Sequence, residues 1–239
     1  MREEVVDLLK NLNRQFYDDF AESFAASRGN TEPGLDHLLA SVQPGDRVLD
    51  LGCGQGRIAR LLPPRCSYTG VDFSAKMLAI AQQQAGEAGV QARFLLGDLL
   101  APIWPVDAAD GYRWVILRAV LHHVPGAQNR QAVVAHAART LLAGGQLIIA
   151  NWQFLEIERL RRRLLPWNSI GLTPDDVEPG DYLLDWQRDG FGMRYVHLVD
   201  EDETLTLAHS AGCQVETLFR ADGHHNNLTL YALLNTPQS

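Results

Sequence analysis

The apolar run Val48-Leu49-Asp50-Leu51 passes directly into Gly52-Cys53-Gly54-Gln55-Gly56. A short run of this kind reads as a buried strand. Glycines crowded at its end let the backbone turn sharply and approach a ligand closely. Helical residues expected at Arg57–Leu62 would turn free N–H groups toward the same place. From there strands and helices alternate. Strands are expected at Arg47–Leu51, Tyr68–Val71, Arg93–Leu96, Trp114–Leu117 and Gln146–Ala150, and helices at Ser74–Gly86 and Gln128–Leu142, with Gly144-Gly145 as a stop. Such alternation predicts an α/β fold of βαβ units, its parallel sheet covered on both faces.

The flanks complete one expected domain. The first 28 residues carry apolar positions at helical spacing, Val5 to Phe24, with no Gly or Pro, and a short helix follows Pro33. Residues 152–190, with a charged helix and a Pro/Gly/Asp-rich stretch, break the rhythm. A strand at Arg194–Leu198, a helix at Asp200–Ala211 and two β-rich runs at Gln214–Arg220 and Asn227–Leu234 follow, the last two as an antiparallel hairpin at a sheet edge. The predicted division is an N-terminal helical cover (1–41), a cofactor-binding core (42–151), a lid-like insertion (152–192), and C-terminal strands and a helix of the core (193–239).

Composition narrows the class. No apolar run reaches the ~18 residues of a membrane helix, and the N-terminus lacks a secretory layout. Cys53, Cys66 and Cys213 are in no metal spacing and suit a reducing cytoplasm, so no metal, no membrane and a cytoplasmic location are expected. Net charge is −8, near balance through residue 150 and −7 beyond it. The chain has no global basic footprint for nucleic acid. Its local exception is Arg159, Arg161, Arg162 and Arg163, which can meet phosphates or form a solvated face paired with Glu156 and Glu158.

The glycine spacing is G-x-G-x-G. A dinucleotide fingerprint needs Gly or Ala where Arg57 stands, which disfavours a pyrophosphate and a nicotinamide dehydrogenase. Asp72, at the end of the second strand, can accept both hydroxyls of a ribose. Asp98, in Gly97-Asp98-Leu99 after the third, can take an adenine amino group. A ribose and an adenine without a phosphate fit S-adenosylmethionine.

In these residues, from about Tyr17 to Leu234, the chain resembles the class I S-adenosylmethionine-dependent methyltransferases. The resemblance implies a Rossmann-like, seven-stranded, mostly parallel sheet with an antiparallel last strand. It also implies S-adenosylmethionine contacts at Tyr17, Arg28, Asp50, Gly52, Cys53, Gly54, Asp72, Phe73, Asp98, Leu99 and Arg118, with Arg28 suited to the methionine carboxylate. Several motifs resemble the tRNA wobble-uridine carboxymethyl methyltransferases: Tyr17, Ala21, Phe24, Ser27 and Arg28; Ala119-Val120-Leu121-His122-His123; Ile148 to Trp152; Gly180-Asp181-Tyr182 with Trp186; and Arg194-Tyr195-Val196-His197. Val196 stands where that family has a second tyrosine, and Asp185 where a proline is usual.

His122, His123, Arg194 and His197 are the catalytic candidates. A histidine can take a proton from a hydroxyl or amine or cap the following helix. Arg194 can hold a carboxylate bidentately or pair with a nearby Asp. A carboxylate acceptor needs no base, only orientation by Arg118 or Arg194. The tRNA substrate stands beside a small-molecule acceptor, which the acidic residues Asp175, Asp176, Glu178, Asp181, Asp185 and Asp189 favour. A non-catalytic, cofactor-binding partner subunit is the third reading.

Overall fold

The computed structural model describes residues 1–27, 32–107, 109 and 111–236. Helices α1 (Glu3–Asp19), α2 (Ala21–Ala26) and α3 (Pro33–Leu39) come first; the expected long helix breaks at Phe20, which leaves the helical region at φ −111°, ψ 20°. Then follow β1 (Arg47–Leu51), β2 (Ser67–Asp72), α4 (Ala75–Glu87), β3 (Ala92–Leu96), β4 (Tyr112–Arg118), α5 (Ala127–Arg139) and β5 (Leu141–Trp152). After them come α6 (Glu158–Arg161), β6 (Leu164–Leu165), β7 (Asp181–Trp186), β8 (Gly192–His197), α7 (Glu201–Ser210), β9 (Gln214–Ala221) and β10 (Thr229–Asn235).

Seven strands form one sheet in the order β3-β2-β1-β4-β5-β10-β9. The first five are parallel, and β10 runs antiparallel to both β5 and β9. This is the expected mostly parallel class I arrangement with an antiparallel last strand. Its central strands are buried on both faces. Leu49, Leu51, Val115 and Leu117 serve one core, and Val48, Trp114, Ile116 and Ile148 the other. The period of two along each strand explains this partition. Each such side chain contributes about 1.5–3 kcal/mol of burial.

Three expectations need correction. Arg57–Leu62 is not a helix; only Ile58–Arg60 makes a single 3-10 turn before Pro63-Pro64, so no helix N-terminus stands behind the glycine loop. Gly144-Gly145 does not end a helix at 142. The helix stops at Arg139, and the glycines lie inside β5, where pairing with β4 shifts register between Tyr112 and Trp114. Finally, the strand Arg194–Leu198 is not part of the core sheet. Gly192–His197 pairs antiparallel with β7, and β7 with β6, in a separate three-stranded sheet built with the 152–192 insertion. Helix α1 packs on β8, with Val5 and Leu9 against Tyr195.

Candidate active site

The carboxyl ends of β1 to β4 converge on one cavity of about 1090 Å³, open mouth included, as expected where ligands sit on open parallel sheets. The glycine loop forms its floor. Gly52 and Gly54 hold φ of +73° and +54°, conformations that cost L-residues energy. A Cβ on Gly52 would strike Val120 at 2.4 Å, whereas one on Gly54 would meet nothing within 4 Å, so Gly54 leaves room beside the loop.

Asp72 closes the end of β2. Its Oδ2 accepts from Gly54 N at 2.8 Å and its Oδ1 from Ser74 N at 2.9 Å. Burial raises its pKa to about 6 against those hydrogen bonds. Asp98, after β3, lies within reach of Lys10 (3.6 Å) and Arg14 (3.4 Å) from α1. Gly52, Cys53, Gly54, Phe73, Leu99, Arg118, Tyr17 and His123 also line this cavity. Asp50 does not. It lies beneath the loop, takes a 2.6 Å hydrogen bond from Tyr68 Oη, and burial raises its pKa to about 7. Arg28 lies outside the described residues.

A second cavity of about 1080 Å³ meets the first at Phe24, Arg118 and Ala119. Ala119 sits at φ +58°, a strained conformation for a residue with a Cβ. Arg159, Arg163, Arg188 and Arg194 line this cavity with Trp152 and Trp186. Arg194, 1% exposed, is enclosed by four rings, with Phe16 at 5.0 Å and Trp152 at 5.1 Å from its guanidinium carbon. Burial pulls its pKa below the usual arginine range, against a hydrogen bond to Tyr17. Its Nε and Nη1 have no hydrogen-bond partner among the described residues. A buried cation left in this state calls for an anion.

Tyr17 lines the first cavity and is hydrogen-bonded to Arg194 of the second. Its hydroxyl is 2.7 Å from His123 Nε2, while His123 Nδ1 is 2.9 Å from the carbonyl of Tyr195. A carbonyl only accepts, so Nδ1 carries the proton and Nε2 accepts from Tyr17. His122 is buried outside both cavities, stacked on Trp152 at 5.6 Å. His197 also faces neither cavity. On β8 it projects opposite Arg194, and its ring bridges Asp181 (2.6 Å) and Glu203 (2.7 Å). Burial works against its charged form, and the two carboxylates outweigh burial and raise its pKa.

Four of the six acidic residues are held in hydrogen bonds and ion pairs within the protein. Asp181 takes Tyr195 and His197, Glu178 takes Arg130 and Ala127 N, Asp185 takes Arg163, and Asp176 takes Thr173 and Arg2. Asp181 and Asp185 therefore tie the second sheet internally, and Glu178 ties the segment before it to α5. The functional-site residues not picked out in the sequence are Asn13, Lys10, Arg14, Glu32 and Arg57. Asn13 had a signal, a polar residue on the apolar stripe of α1; it donates to the carbonyl of Tyr195 and accepts from its N–H. Among the described residues no cluster of three or more His, Cys, Asp or Glu is arranged to hold a metal, and no helix is long and apolar enough to cross a membrane.

Comparison with known proteins agrees with the fold. The sequence model of the family described as "Methyltransferase domain" matches residues 48–145. A tRNA (carboxymethyluridine(34)-5-O)-methyltransferase of Arabidopsis thaliana is 27% identical over 146 residues, 61% of this chain and 34% of that protein. The 27-O-demethylrifamycin SV methyltransferase of Amycolatopsis mediterranei is 33% identical over 150 residues, 60% of this chain and 52% of that one. The chain spans between about a fifth and about a third of the length of the tRNA methyltransferases it matches. Among solved structures, the magnesium protoporphyrin IX methyltransferase of Synechocystis with bound S-adenosylhomocysteine superposes with a TM-score of 0.64 at 19% identity, covering 95% of this chain and 99% of that one.

Proposed function

We propose that this chain, whose residues 48–145 match the methyltransferase-domain model and whose sheet has the class I order, is an S-adenosylmethionine-dependent methyltransferase that acts on a carboxylate-bearing acceptor. The observation that carries this reading is the pair of cavities meeting at Arg118 and Ala119, one offering two carboxylates at strand ends and the other a buried arginine with unmade hydrogen bonds.

Asp72 receives the ribose hydroxyls and Asp98 the adenine amino group. When bound, S-adenosylmethionine supplies an electrophilic methyl on a sulfonium. Arg194 holds the acceptor carboxylate through one of its two unpartnered donors, Nε or Nη1, and Trp152 and Trp186 flank it. Such an acceptor is already ionised, so the residues need only orient it and exclude water. Orientation of this kind is worth up to about 7–11 kcal/mol in favourable cases. In its finer form the acceptor is the carboxymethyl group of a tRNA wobble uridine. Support for that form comes from the motif resemblance and from the arginines at the second cavity's mouth.

A small-molecule acceptor is the second reading, favoured by the 33% identity to the demethylrifamycin enzyme and by the Tyr17–His123 pair. That pair would serve as a base for a hydroxyl acceptor. Incubating the protein with methyl-labelled S-adenosylmethionine and separate tRNA and small-molecule fractions decides between them. Alkali-labile label in tRNA supports the first reading, and label confined to small molecules overturns it.

A further inference from the structure

Arg57 follows the glycine loop, is 8% exposed and lines the first cavity. Its Nη1 donates to Glu32 Oε1 at 2.9 Å, and its Nη2 is buried with no hydrogen-bond partner among the described residues. Glu32 also takes Nε and Nη2 of Arg118, so one carboxylate tethers two arginines of the cavity wall. A guanidinium gripped by only one of its terminal nitrogens keeps a second donor for another carboxylate.

The sheet order indicates which part of a ligand lies there. Strands run β3-β2-β1-β4, with Asp98 after β3, Asp72 on β2, the glycine loop with Arg57 after β1, and Arg118 on β4. Adenine at Asp98 and ribose at Asp72 leave the amino-acid end of the cofactor at the β1 and β4 termini. We propose that Arg57, held by Glu32, anchors the carboxylate of the cofactor's amino-acid end. This rests on the reading that the first cavity holds S-adenosylmethionine.

Titration calorimetry with two ligands tests it on the full chain. S-adenosylhomocysteine carries the amino-acid end, whereas methylthioadenosine keeps the nucleoside and thioether and lacks it. Arg57→Gln is expected to weaken S-adenosylhomocysteine roughly ten- to hundredfold, the range for a charged hydrogen bond, and to leave methylthioadenosine unchanged; Arg57→Lys is expected to restore part of the loss. The methylthioadenosine titration also reports that the variant is folded. Unchanged S-adenosylhomocysteine affinity overturns the assignment and leaves the carboxylate to another residue, such as Arg28. An equal loss for both ligands overturns it as well, because Arg57 would then only shape the cavity. If the unaltered protein binds neither ligand, the cofactor reading falls and takes the assignment with it.

Discussion

Asp72 has two tasks, closing the glycine loop through Gly54 N and facing the cavity as a hydrogen-bond acceptor. Only its ionised form does both well. With a pKa raised to about 6 by burial, S-adenosylhomocysteine affinity is expected to hold steady above pH 7. Below pH 6 it should fall by about tenfold per unit, as the carboxylate protonates. Asp72→Asn should weaken binding and flatten that profile, which calorimetry across pH would reveal. Arg194 sits at the opposite extreme, a cation enclosed by rings with two donors unmet. Arg194→Met keeps the volume and should leave S-adenosylhomocysteine affinity unchanged while methyl transfer falls by roughly ten- to hundredfold. A single-turnover assay with saturating cofactor checks this.

At the scale of elements, an ion-pair network joins α5, α7 and the segment leading into β7. Arg130 on α5, 2% exposed, donates to Glu178, to Glu203 on α7 and to the carbonyl of Val124. Removing one partner of a buried pair costs about 3–5 kcal/mol. The two carboxylates retain some solvent, so Arg130→Met should cost near the lower end of that range in urea unfolding. His197 adds a pH signature. Its folded pKa is raised, so its contribution is fully present below its unfolded value near 6.5 and is lost as pH rises through the folded value. His197→Gln should remove that component. These elements also show what the sequence discloses. Strands β1 to β4 and the hairpin β9–β10 were legible because fully buried strands and turn residues leave local signals. The second sheet was not, because β7 and β8 find each other through register, and Asp181 finds His197 only across that register. Arg57 reads as the residue that spoils a dinucleotide motif; its partner Glu32, 25 positions away, becomes visible only in three dimensions.

For the whole molecule, a net charge of −8 coexists with a cavity whose mouth is arginine-rich. If the acceptor is a tRNA loop, Arg159 and Arg188 are the mouth arginines with no carboxylate partner among the described residues, and they can neutralise about two phosphates. The logarithm of affinity should then fall with the logarithm of salt at a slope of about −1.4, far shallower than for proteins that grip many phosphates. Filter binding over a salt series would measure it. The pairing of α1 with β8 carries a further consequence for how the chain comes into being. Asn13 grips the backbone of Tyr195, 182 positions later. On a ribosome adding 5–20 residues per second, α1 therefore waits roughly ten seconds or more before its partner exists. Throughout that interval Val5, Leu9 and Phe16 must be kept from other company, so a helix made well before its partner is among the last to dock.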